Sequence, residues 1–530
     1  MIPNDAAMVL HLNPSSLNSK LSWDEVKQTN WFKEMYQEAP DTLARKLMDD
    51  PANAGMDLRS DFIFFLKNQG NNGYMVFEGF VKDAAAFEAF NKKVSKDAAT
   101  FKEGDFNNMK LQGGAVVTWN KDRFVYVIDA PFMNMSKSFS LEGGTTTEPT
   151  TLSADTLLQI GKSLFNLKSD NSLGGNERFG NMMKEEGDLH MWLNSEYLYN
   201  GIGGGMLSMM KVNTLFQGNV SATTINFENG KITMKSKGYY NDELANLFDK
   251  YSSKEISTDV INRIPSQNVV AAFVMNYPPE GLKEFMKVIG VDGMVNGFLG
   301  KANYSIDEFI KANKGDIIIT ITDLSVTNRT DTILTADGEP LTHNQSGPSA
   351  KVLFATSIND KAAFDKLIGT VKAQGGDEIS RGMPDITYNL NNNWFAISNS
   401  ADHVTKFLGG GNNKFAFADK IKGHPFGGYI DIQKIVKSMD SDFTDSAGKI
   451  VSNASLQMWQ DMVITGGEYK NGALSGEVQL NLVNKNTNSL KQLNMYLDEL
   501  SKSMKAKQKR YDGYSLDSLP QAVEAPMSEN

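Results

Sequence analysis

Apolar residues recur along this chain in two patterns, continuous runs of strand length and stripes with helical spacing. Residues 6–12 and 269–275 are two such runs, and each follows an Ile-Pro dipeptide and precedes Asn and Pro residues. Both segments predict a buried strand that ends in a turn and leads into a helix. The same series of signals therefore occurs near the start of the chain and again near its middle.

A second pair of segments matches more closely. Residues 74–81 predict a strand, and Asp83-Ala-Ala-Ala-Phe87 then opens a helix with one apolar stripe. Residues 351–358 predict the equivalent strand, and Asp360-Lys-Ala-Ala-Phe364 opens the equivalent helix. Both aspartates stand where an N-cap carboxylate accepts hydrogen bonds from free backbone N–H groups. We therefore expect Asp83 and Asp360 to cap helices, although acidic residues at these positions also suit a pocket.

A third correspondence consists of two hairpins with polar turns. Residues 116–120 and 124–128 are strand-like and flank a polar turn, and residues 386–390 and 394–398 repeat this arrangement. Alternation around a polar turn is typical of antiparallel strand pairs.

A fourth correspondence is an Asn-Gly turn in each half, at Asn229-Gly230 and at Asn471-Gly472. Asn-Gly tolerates positive φ at both central positions and is a strong hairpin signal. The apolar spacing of residues 244–251 and 490–500 predicts a helix after each hairpin. Four matches in the same order indicate an internal duplication.

These patterns predict an α+β protein of two similar halves, each an antiparallel (mixed) sheet with helices packed mainly on one face. We place the first half at residues 1–255, with a polar loop near 136–155. The second half is placed at residues 256–505, with a polar insertion near 327–349. Residues 506–530 lack periodicity and are expected to form a mobile tail.

Composition narrows the functional classes. The 530 residues are 40% hydrophobic, which is enough for substantial cores. The net charge of −10 is spread along the chain without a basic cluster. We therefore expect no nucleic-acid partner, because phosphate binding needs grouped Lys and Arg. Cysteine is absent, which excludes disulfides and thiolate sites in the chain as given and suits an oxidising compartment.

Two observations concern membranes and export. The longest apolar runs, residues 61–66 and 269–275, are much shorter than the roughly 18–20 residues of a membrane-spanning helix. The chain opens with Met1-Ile2-Pro3 and runs directly into a strand, without a charged and then apolar leader. The protein is expected either to be cytoplasmic or to carry its export signal upstream of Met1.

The Ile2-Pro3-x-Asp5 opening, the paired Asp-x-Ala-Ala-Phe helices and the duplicated layout resemble a family of uncharacterised proteins. The family is grouped as a domain of unknown function and consists of predicted cell-envelope lipoproteins of Bacteroidetes-type bacteria. The similarity covers nearly the whole chain and rests on structural motifs. It implies export and a lipid on a cysteine near the mature N-terminus. This chain has no such cysteine, so the resemblance implies an anchor upstream of Met1 and supplies no activity or site residue.

The five histidines stand far apart and form no paired metal motif. They are His11, His190, His343, His403 and His424. His11 and His190 lie in apolar strand-like runs and are candidates to meet across a sheet. A metal site there would need a third ligand that is not evident, so a hydrogen-bonded, half-buried histidine is the commoner outcome. We assign no metal ligand.

Two short motifs resemble cation and phosphate sites. Residues 440–445, Asp-Ser-Asp-Phe-Thr-Asp, begin like a calcium loop, but the sixth-position glycine is missing and Val451 replaces the bidentate Glu. Gly161-Lys162-Ser163 copies the end of a phosphate loop, but Thr156 replaces its first glycine. We expect an acidic loop at a helix end in the first case and a chance match in the second.

Two further motifs resemble enzyme signatures. Residues 201–206 contain a Gly-x-Gly but lack the third glycine of a dinucleotide site. Ser208-Met-Met-Lys211 fits the Ser-x-x-Lys pattern, but no Lys-Thr-Gly element follows. We therefore predict no catalytic residue and no cofactor, although two carboxylates that meet only in the folded chain would leave no linear motif.

Most aromatic residues at strand positions are expected to be core, among them Trp119, Tyr126 and Trp192. Trp394 lies beside the polar turn at residues 391–393 and is the candidate for exposure and for stacking on a sugar or peptide.

The sequence names no function, and we expect a non-enzymatic cell-envelope lipoprotein with a binding or scaffolding role. Its partner would be a small ligand (a glycan or peptide), held in a cleft between the halves, or an envelope protein. One alternative is a secreted glycan- or peptide-acting hydrolase, which two facing carboxyls with raised pKa would favour. Another is a purely structural surface component.

Overall fold

The structure is a computed structural model that describes residues 1–39, 42–69, 72–96, 98–130, 151–199, 211–334, 340–382, 386–440 and 445–512. Short 3₁₀ turns connect some of the elements. The elements before residue 256 are β1 (Met8–Leu12), α1 (Pro14–Lys20), α2 (Trp23–Lys27), α3 (Asn30–Gln37), α4 (Thr42–Asp49), β2 (Phe62–Gln69), β3 (Asn72–Phe80), α5 (Ala84–Val94), β4 (Phe101–Glu103), β5 (Phe106–Leu111), β6 (Ala115–Trp119), β7 (Arg123–Asp129), α6 (Ala154–Phe165), α7 (Glu177–Met183), β8 (Leu189–Asn194), α8 (Ser195–Leu198), β9 (Val220–Glu228), β10 (Lys231–Tyr239) and α9 (Asp242–Lys250).

The rest of the chain adds eight strands and their helices within the described ranges. They are α10 (Thr258–Ile261), β11 (Val269–Asn276), α11 (Pro279–Val288), α12 (Asp292–Lys301), α13 (Ile306–Ala312), β12 (Asn313–Leu334), β13 (Pro340–Ile358), α14 (Lys361–Gly382), β14 (Thr387–Leu390), β15 (Trp394–Ser398), α15 (Ala401–Leu408), α16 (Ala418–Ile421), β16 (Phe426–Asp431), α17 (Ile432–Met439), α18 (Ser446–Met458), β17 (Trp459–Lys470), β18 (Ala473–Leu482) and α19 (Ser489–Asp512).

All described strands belong to one antiparallel sheet, which mixes with many helices in an α+β fold. From edge to edge the order is β4, β5, β6, β7, β3, β2, β1, β8, β9, β10, β18, β17, β16, β11, β12, β13, β15 and β14. The predicted pair of separate sheets is therefore wrong. The β10–β18 pairing joins the two parts of the chain. Each of these strands is the second strand of an Asn-Gly hairpin, and its outer edge would be unpaired without the other strand.

Side chains alternate between the two faces of the sheet. The front face carries His190 and Val9 in the first part of the chain, and Ile318 and Leu353 in the second. In the first part, α6 and α7 cover this face and pack Leu157 and Phe179 into its core. In the second part, α15 and α16 do the same with Phe407 and Ile421.

The back face is also covered by helices near both edges of the sheet. Phe87 of α5 packs on Phe124 of β7, with ring centroids 5.0 Å apart. Phe364 of α14 packs on Phe395 of β15 at 5.4 Å. Helices therefore lie on both faces, in contrast to the predicted packing on mainly one face, because the strands carry apolar residues at odd and even positions alike.

The local signals of the sequence correspond to these elements. Asp83 accepts hydrogen bonds from the backbone N–H groups of Ala85 and Ala86, at 2.9 and 3.0 Å. Asp360 accepts one from the N–H of Ala363 at 2.9 Å, so both aspartates cap helices as predicted. The predicted hairpins are β6–β7, β14–β15, β9–β10 and β17–β18.

The irregular segments differ in part from expectation. The polar insertion near 327–349 extends the β12–β13 hairpin, whose turn at 335–339 lies outside the described residues. Most of the polar loop predicted near 136–155 also lies outside them. Helix α19 continues through residues 506–512 of the expected tail, and residues 513–530 are not described.

Within the described ranges, we find no helix that is both long and apolar enough to span a membrane.

Candidate functional site

The central strands of the front face are left uncovered between the helices of the two parts of the chain. This gap forms a cleft of about 850 Å³, which we call the central cleft. Its floor consists of β9, β10, β17 and β18, with Ala222, Thr224 and Asn226 on β9 and Thr465 on β17. The cleft therefore lies where strands from the two parts of the chain meet.

Charged side chains of both signs line the central cleft. Lys20 comes from the end of α1, Lys235 and Lys237 come from β10, and His424 precedes β16. Five carboxylates complete the lining: Glu185, Glu186, Glu228, Glu468 and Glu477. Five carboxylates against three lysines give the cleft a small negative excess. A ligand that carries both a cationic and an anionic group matches this lining.

Glu185 is held in the cleft by two side-chain contacts. Lys237 Nζ contacts its Oε1 at 2.5 Å, and Thr224 Oγ1 donates to its Oε2 at 2.8 Å. Burial alone raises the pKa of Glu185, but these two hydrogen bonds outweigh burial and hold the pKa below its usual range. The same contact raises the pKa of Lys237. Both groups are therefore ionised near neutral pH.

Residues from the second part of the chain form the opposite side of the cleft. His424 Nδ1 contacts Glu468 Oε1, and Ser475 Oγ donates to Glu468 Oε2 at 3.2 Å. Gln479 Nε2 donates to Glu477 Oε1 at 2.6 Å. These contacts hold the two carboxylates in place before any ligand arrives, which lowers the entropy cost of binding.

Lys20 is held at the cleft rim by a buried carboxylate. Asp188 Oδ2 accepts from Lys20 Nζ and from the backbone N–H of Phe227, each at 2.6 Å. Its Oδ1 accepts from Ser16 Oγ at 2.6 Å. The side chain of Asp188 is 0% exposed, whereas that of Lys20 is 23% exposed. The aspartate therefore anchors α1 to the sheet and fixes Lys20 beside the cleft.

The structure brings His11 and His190 together next to the cleft. The two residues are directly opposed on β1 and β8, and their Nδ1 atoms are 3.0 Å apart. His190 Nε2 lies 3.0 Å from the carbonyl oxygen of Glu185, which can only accept, so this nitrogen carries a proton. Nδ1 of a neutral His190 then accepts from His11 Nδ1–H. Burial lowers the pKa of His190, which favours this neutral form.

A metal does not explain this histidine pair. Among the described residues, no group of three or more His, Asp or Glu side chains is arranged to hold a metal ion. The remaining nitrogen, His11 Nε2, lies 3.3 Å from Asp61 Oδ2. The two imidazoles are hydrogen-bonded to each other, and His190 in turn donates to the backbone carbonyl of Glu185.

A second cavity of about 620 Å³ adjoins His403 and Asp323. His403 Nε2 lies 3.1 Å from Asp323 Oδ2, and its Nδ1 lies 3.0 Å from Ser400 Oγ. This combination resembles a Ser-His-Asp arrangement. Ser400, however, does not line the cavity, because its hydroxyl is used at the N-cap of α15. A nucleophile that does not face the cavity cannot reach a substrate there, so we regard the group as structural.

The remaining sequence candidates take structural positions. Trp394 is only 7% exposed and packs edge-on against Phe407, so the expected stacking surface is absent there. Gly161-Lys162-Ser163 lies inside α6 and forms no phosphate loop. Asp445 caps α18 by accepting from the N–H of Gly448. Residues 441–444 and the motifs at 201–206 and 208–210 lie outside the described residues.

Sequence reasoning did not identify the charged residues of the central cleft. Lys20, Glu185, Lys237, His424 and Glu468 are spread over more than four hundred positions and form no linear motif. One pattern in the sequence could have indicated the cleft. Lys231, Lys235 and Lys237 stand at alternate positions of β10 and therefore place their charges on a single face of the strand.

Comparison with known proteins identifies one family. A family model described as "Domain of unknown function (DUF4836)" matches residues 1–372. No curated protein and no solved structure matches the chain.

Proposed function

The chain belongs to the DUF4836 family, a domain of unknown function, and we propose that it is a non-enzymatic binding protein whose central cleft takes a small polar ligand. The observation that carries this proposal is the charged lining of both signs, supplied by both parts of the chain and held in place by Asp188, Thr224 and Gln479. Ligand sites favour such junctions.

A peptide or another zwitterion fits the cleft better than a glycan does. Sugar recognition commonly uses an exposed aromatic face, and Tyr239 is the single aromatic residue among those that line the cleft. Its ring is already covered by the guanidinium of Arg178, 4.7 Å from the ring centroid. The amino and carboxylate groups of a short peptide would instead meet Glu477 and Lys237.

The alternative of a secreted hydrolase draws less support. A glycosidase-type site needs one carboxyl with a raised pKa to act as general acid. In the cleft, the pKa values of Glu185 and Glu228 are lowered, because hydrogen bonds with Lys237, Thr224, Thr233 and Lys231 outweigh their burial. Neither group is therefore held in the protonated form that a general acid needs.

A thermal-shift panel tests the proposal. The purified chain is heated with short peptides, neutral oligosaccharides and divalent metal ions, each at a hundredfold excess over a working Kd. A ligand that binds only the native state stabilises it by about 2.7 kcal/mol under these conditions. We expect hits among the peptides. Hits confined to the oligosaccharides, or none at all, would contradict the proposal.

We also propose that the protein works in the cell envelope, anchored through a lipid upstream of Met1. The absence of cysteine in 530 residues supports an oxidising compartment. Expression of the full-length gene with an alkyne-tagged fatty acid tests this. Lipid labelling that disappears when the acceptor cysteine is replaced supports the anchor, and an unlabelled soluble product in the cytoplasm contradicts it.

We further propose that the two halves, residues 1–255 and 256–505, arose by duplication. The strand order supports this. Counting outward from the β10–β18 pair, one side runs β9, β8, β1, β2, β3, β7, β6 and the other runs β17, β16, β11, β12, β13, β15, β14. Superposition of the halves in a crystal structure should align Phe77 with Phe354, and a shifted register would contradict it.

A further inference from the structure

Most charged groups of the central cleft already have a partner of opposite charge within the protein. Three ion pairs account for them, namely Lys237 with Glu185, Lys20 with Asp188 and Lys231 with Glu228, at N–O distances of 2.5, 2.6 and 3.2 Å. Glu468 contacts His424 in addition. A ligand gains little from a group that is already paired, because binding would exchange one contact for another. The selectivity of the cleft therefore depends on the charged groups that have no such partner.

Two carboxylates and one ammonium of the lining form no ion pair with the described residues. They are Glu186, Glu477 and Lys235. Glu477 accepts a hydrogen bond from Gln479 Nε2 at 2.6 Å, but this donor is neutral and leaves the charge unbalanced. Glu186 is exposed, and its side chain is free to meet a ligand. Negative charge therefore exceeds positive charge among the groups that a ligand can neutralise.

The strand register fixes the order of these three groups across the sheet. Lys235 of β10 is directly opposite Glu477 of β18. On the other side of β10 lies β9, where Asn226 Nδ2 donates to the backbone carbonyl of Glu186 at 3.0 Å. Two strand spacings of about 4.8 Å therefore separate the two carboxylates, a distance of roughly 10 Å. The lysine stands between them, so the free charges follow the order acid, base, acid.

A short peptide with a basic side chain carries the complementary charges. Its N-terminal ammonium and its side-chain cation match the two carboxylates, and its C-terminal carboxylate matches Lys235. The two cations of alanyl-lysine can stand roughly 10 Å apart, because adjacent Cα atoms are about 3.8 Å apart and the side chain extends further. A peptide without a charged side chain leaves one carboxylate of the cleft unpaired, and an acidic side chain adds a like charge that is repelled.

We propose that the central cleft selects short peptides that contain lysine or arginine. The side-chain cation contacts Glu186, the N-terminal ammonium contacts Glu477, and the C-terminal carboxylate contacts Lys235. This inference rests on the proposed function of the cleft and adds the class of peptide that it binds.

Isothermal titration of the full chain with three dipeptides tests this selectivity. Alanyl-norleucine has the four-carbon side chain of alanyl-lysine without its charge, and alanyl-glutamate carries the opposite charge. We expect alanyl-lysine to bind about fivefold more tightly than alanyl-norleucine, as is typical of an exposed ion pair, and alanyl-glutamate to bind most weakly. Raising NaCl from about 0.05 to about 0.5 M should reduce this preference, because salt screens exposed charges.

Two variants locate the preference. Glu186→Gln should remove it, because alanyl-lysine should then bind no better than alanyl-norleucine, and the Kd of alanyl-norleucine should stay unchanged. Glu280→Gln makes the same chemical change at an exposed position of α11 and should keep the preference of the wild type. Circular dichroism confirms that each variant is folded.

Three results would overturn the inference and leave the proposed function standing. The first is alanyl-lysine that binds no better than alanyl-norleucine. The second is a preference for lysine that survives in Glu186→Gln, and the third is a preference that does not change with salt. If none of the three dipeptides binds, the proposed function fails together with the inference.

Discussion

Replacing Asp188 by Asn tests how the central cleft is held together. The carboxylate is fully buried and accepts three hydrogen bonds of 2.6 Å, from Ser16, Lys20 and the Phe227 backbone. In Asp188→Asn, one oxygen becomes an NH₂ group. At the Oδ2 position, that group would face two donors, the Lys20 ammonium and a backbone N–H.

The expected loss of stability follows from this geometry. Breaking a buried ion pair costs about 3–5 kcal/mol, because the remaining charge is left without a partner. Lys20 is 23% exposed, so water relieves part of that cost. We therefore expect Asp188→Asn to lower the free energy of unfolding by about 2–4 kcal/mol.

Urea denaturation at neutral pH measures this difference. Asp249→Asn is the matched control, since it makes the same chemical change at an exposed position of α9 and should stay within about 0.5 kcal/mol of the wild type. A loss in Asp188→Asn no larger than that of the control would refute the reasoning. It would mean that Lys20 and α1 are held by other contacts.

Two further predictions concern the core and the histidine pair. A Cβ on Gly79 would lie 2.7 Å from the Phe62 ring and 2.8 Å from the Phe124 ring. Gly79→Ala should therefore lower the free energy of unfolding, measured by urea denaturation, by about 1–3 kcal/mol. An unchanged free energy of unfolding would contradict this packing. Folding lowers the pKa of His190 from its ordinary value of 6.5. Below that pH, the unfolded chain therefore binds more protons at this residue than the folded chain does. Stability should therefore fall as the pH drops below about 6.5, and His190→Gln should reduce this slope; an unchanged slope would count against a neutral buried His190.

Local signals in the sequence predicted local structure well. The caps at Asp83 and Asp360 and the turns at Asn229-Gly230 and Asn471-Gly472 each depend on a few neighbouring residues. Asn471 and Gly472 adopt the positive φ values of 53° and 75° for which Asn-Gly is suited. Such conformations are decided within the turn itself, so that one sequence is enough to predict them.

The sheet and the cleft depend on distant residues and could not be predicted in the same way. The β10–β18 pairing joins Lys231 to Asn481, and no alternation pattern specifies which edge strand a second edge strand will meet. The pairing places Lys235 opposite Glu477 and so creates the cleft floor. The prediction that helices pack mainly on one face of the sheet was also wrong. The neighbouring residues Val76 and Phe77 of β3 are both apolar and pack into cores on opposite faces, as is typical of a strand that is covered on both faces.

The central claim is that one ligand contacts residues from both parts of the chain in the central cleft. Isothermal titration of the best peptide from the thermal-shift panel tests it, with Lys237→Gln from the first part, Glu468→Gln from the second, and Glu280→Gln as an exposed control. Each lost charged hydrogen bond is worth about 1.5–3 kcal/mol. Both cleft variants should therefore raise Kd roughly 10- to 150-fold, and the control should leave it unchanged. Wild-type affinity in either cleft variant would contradict the claim.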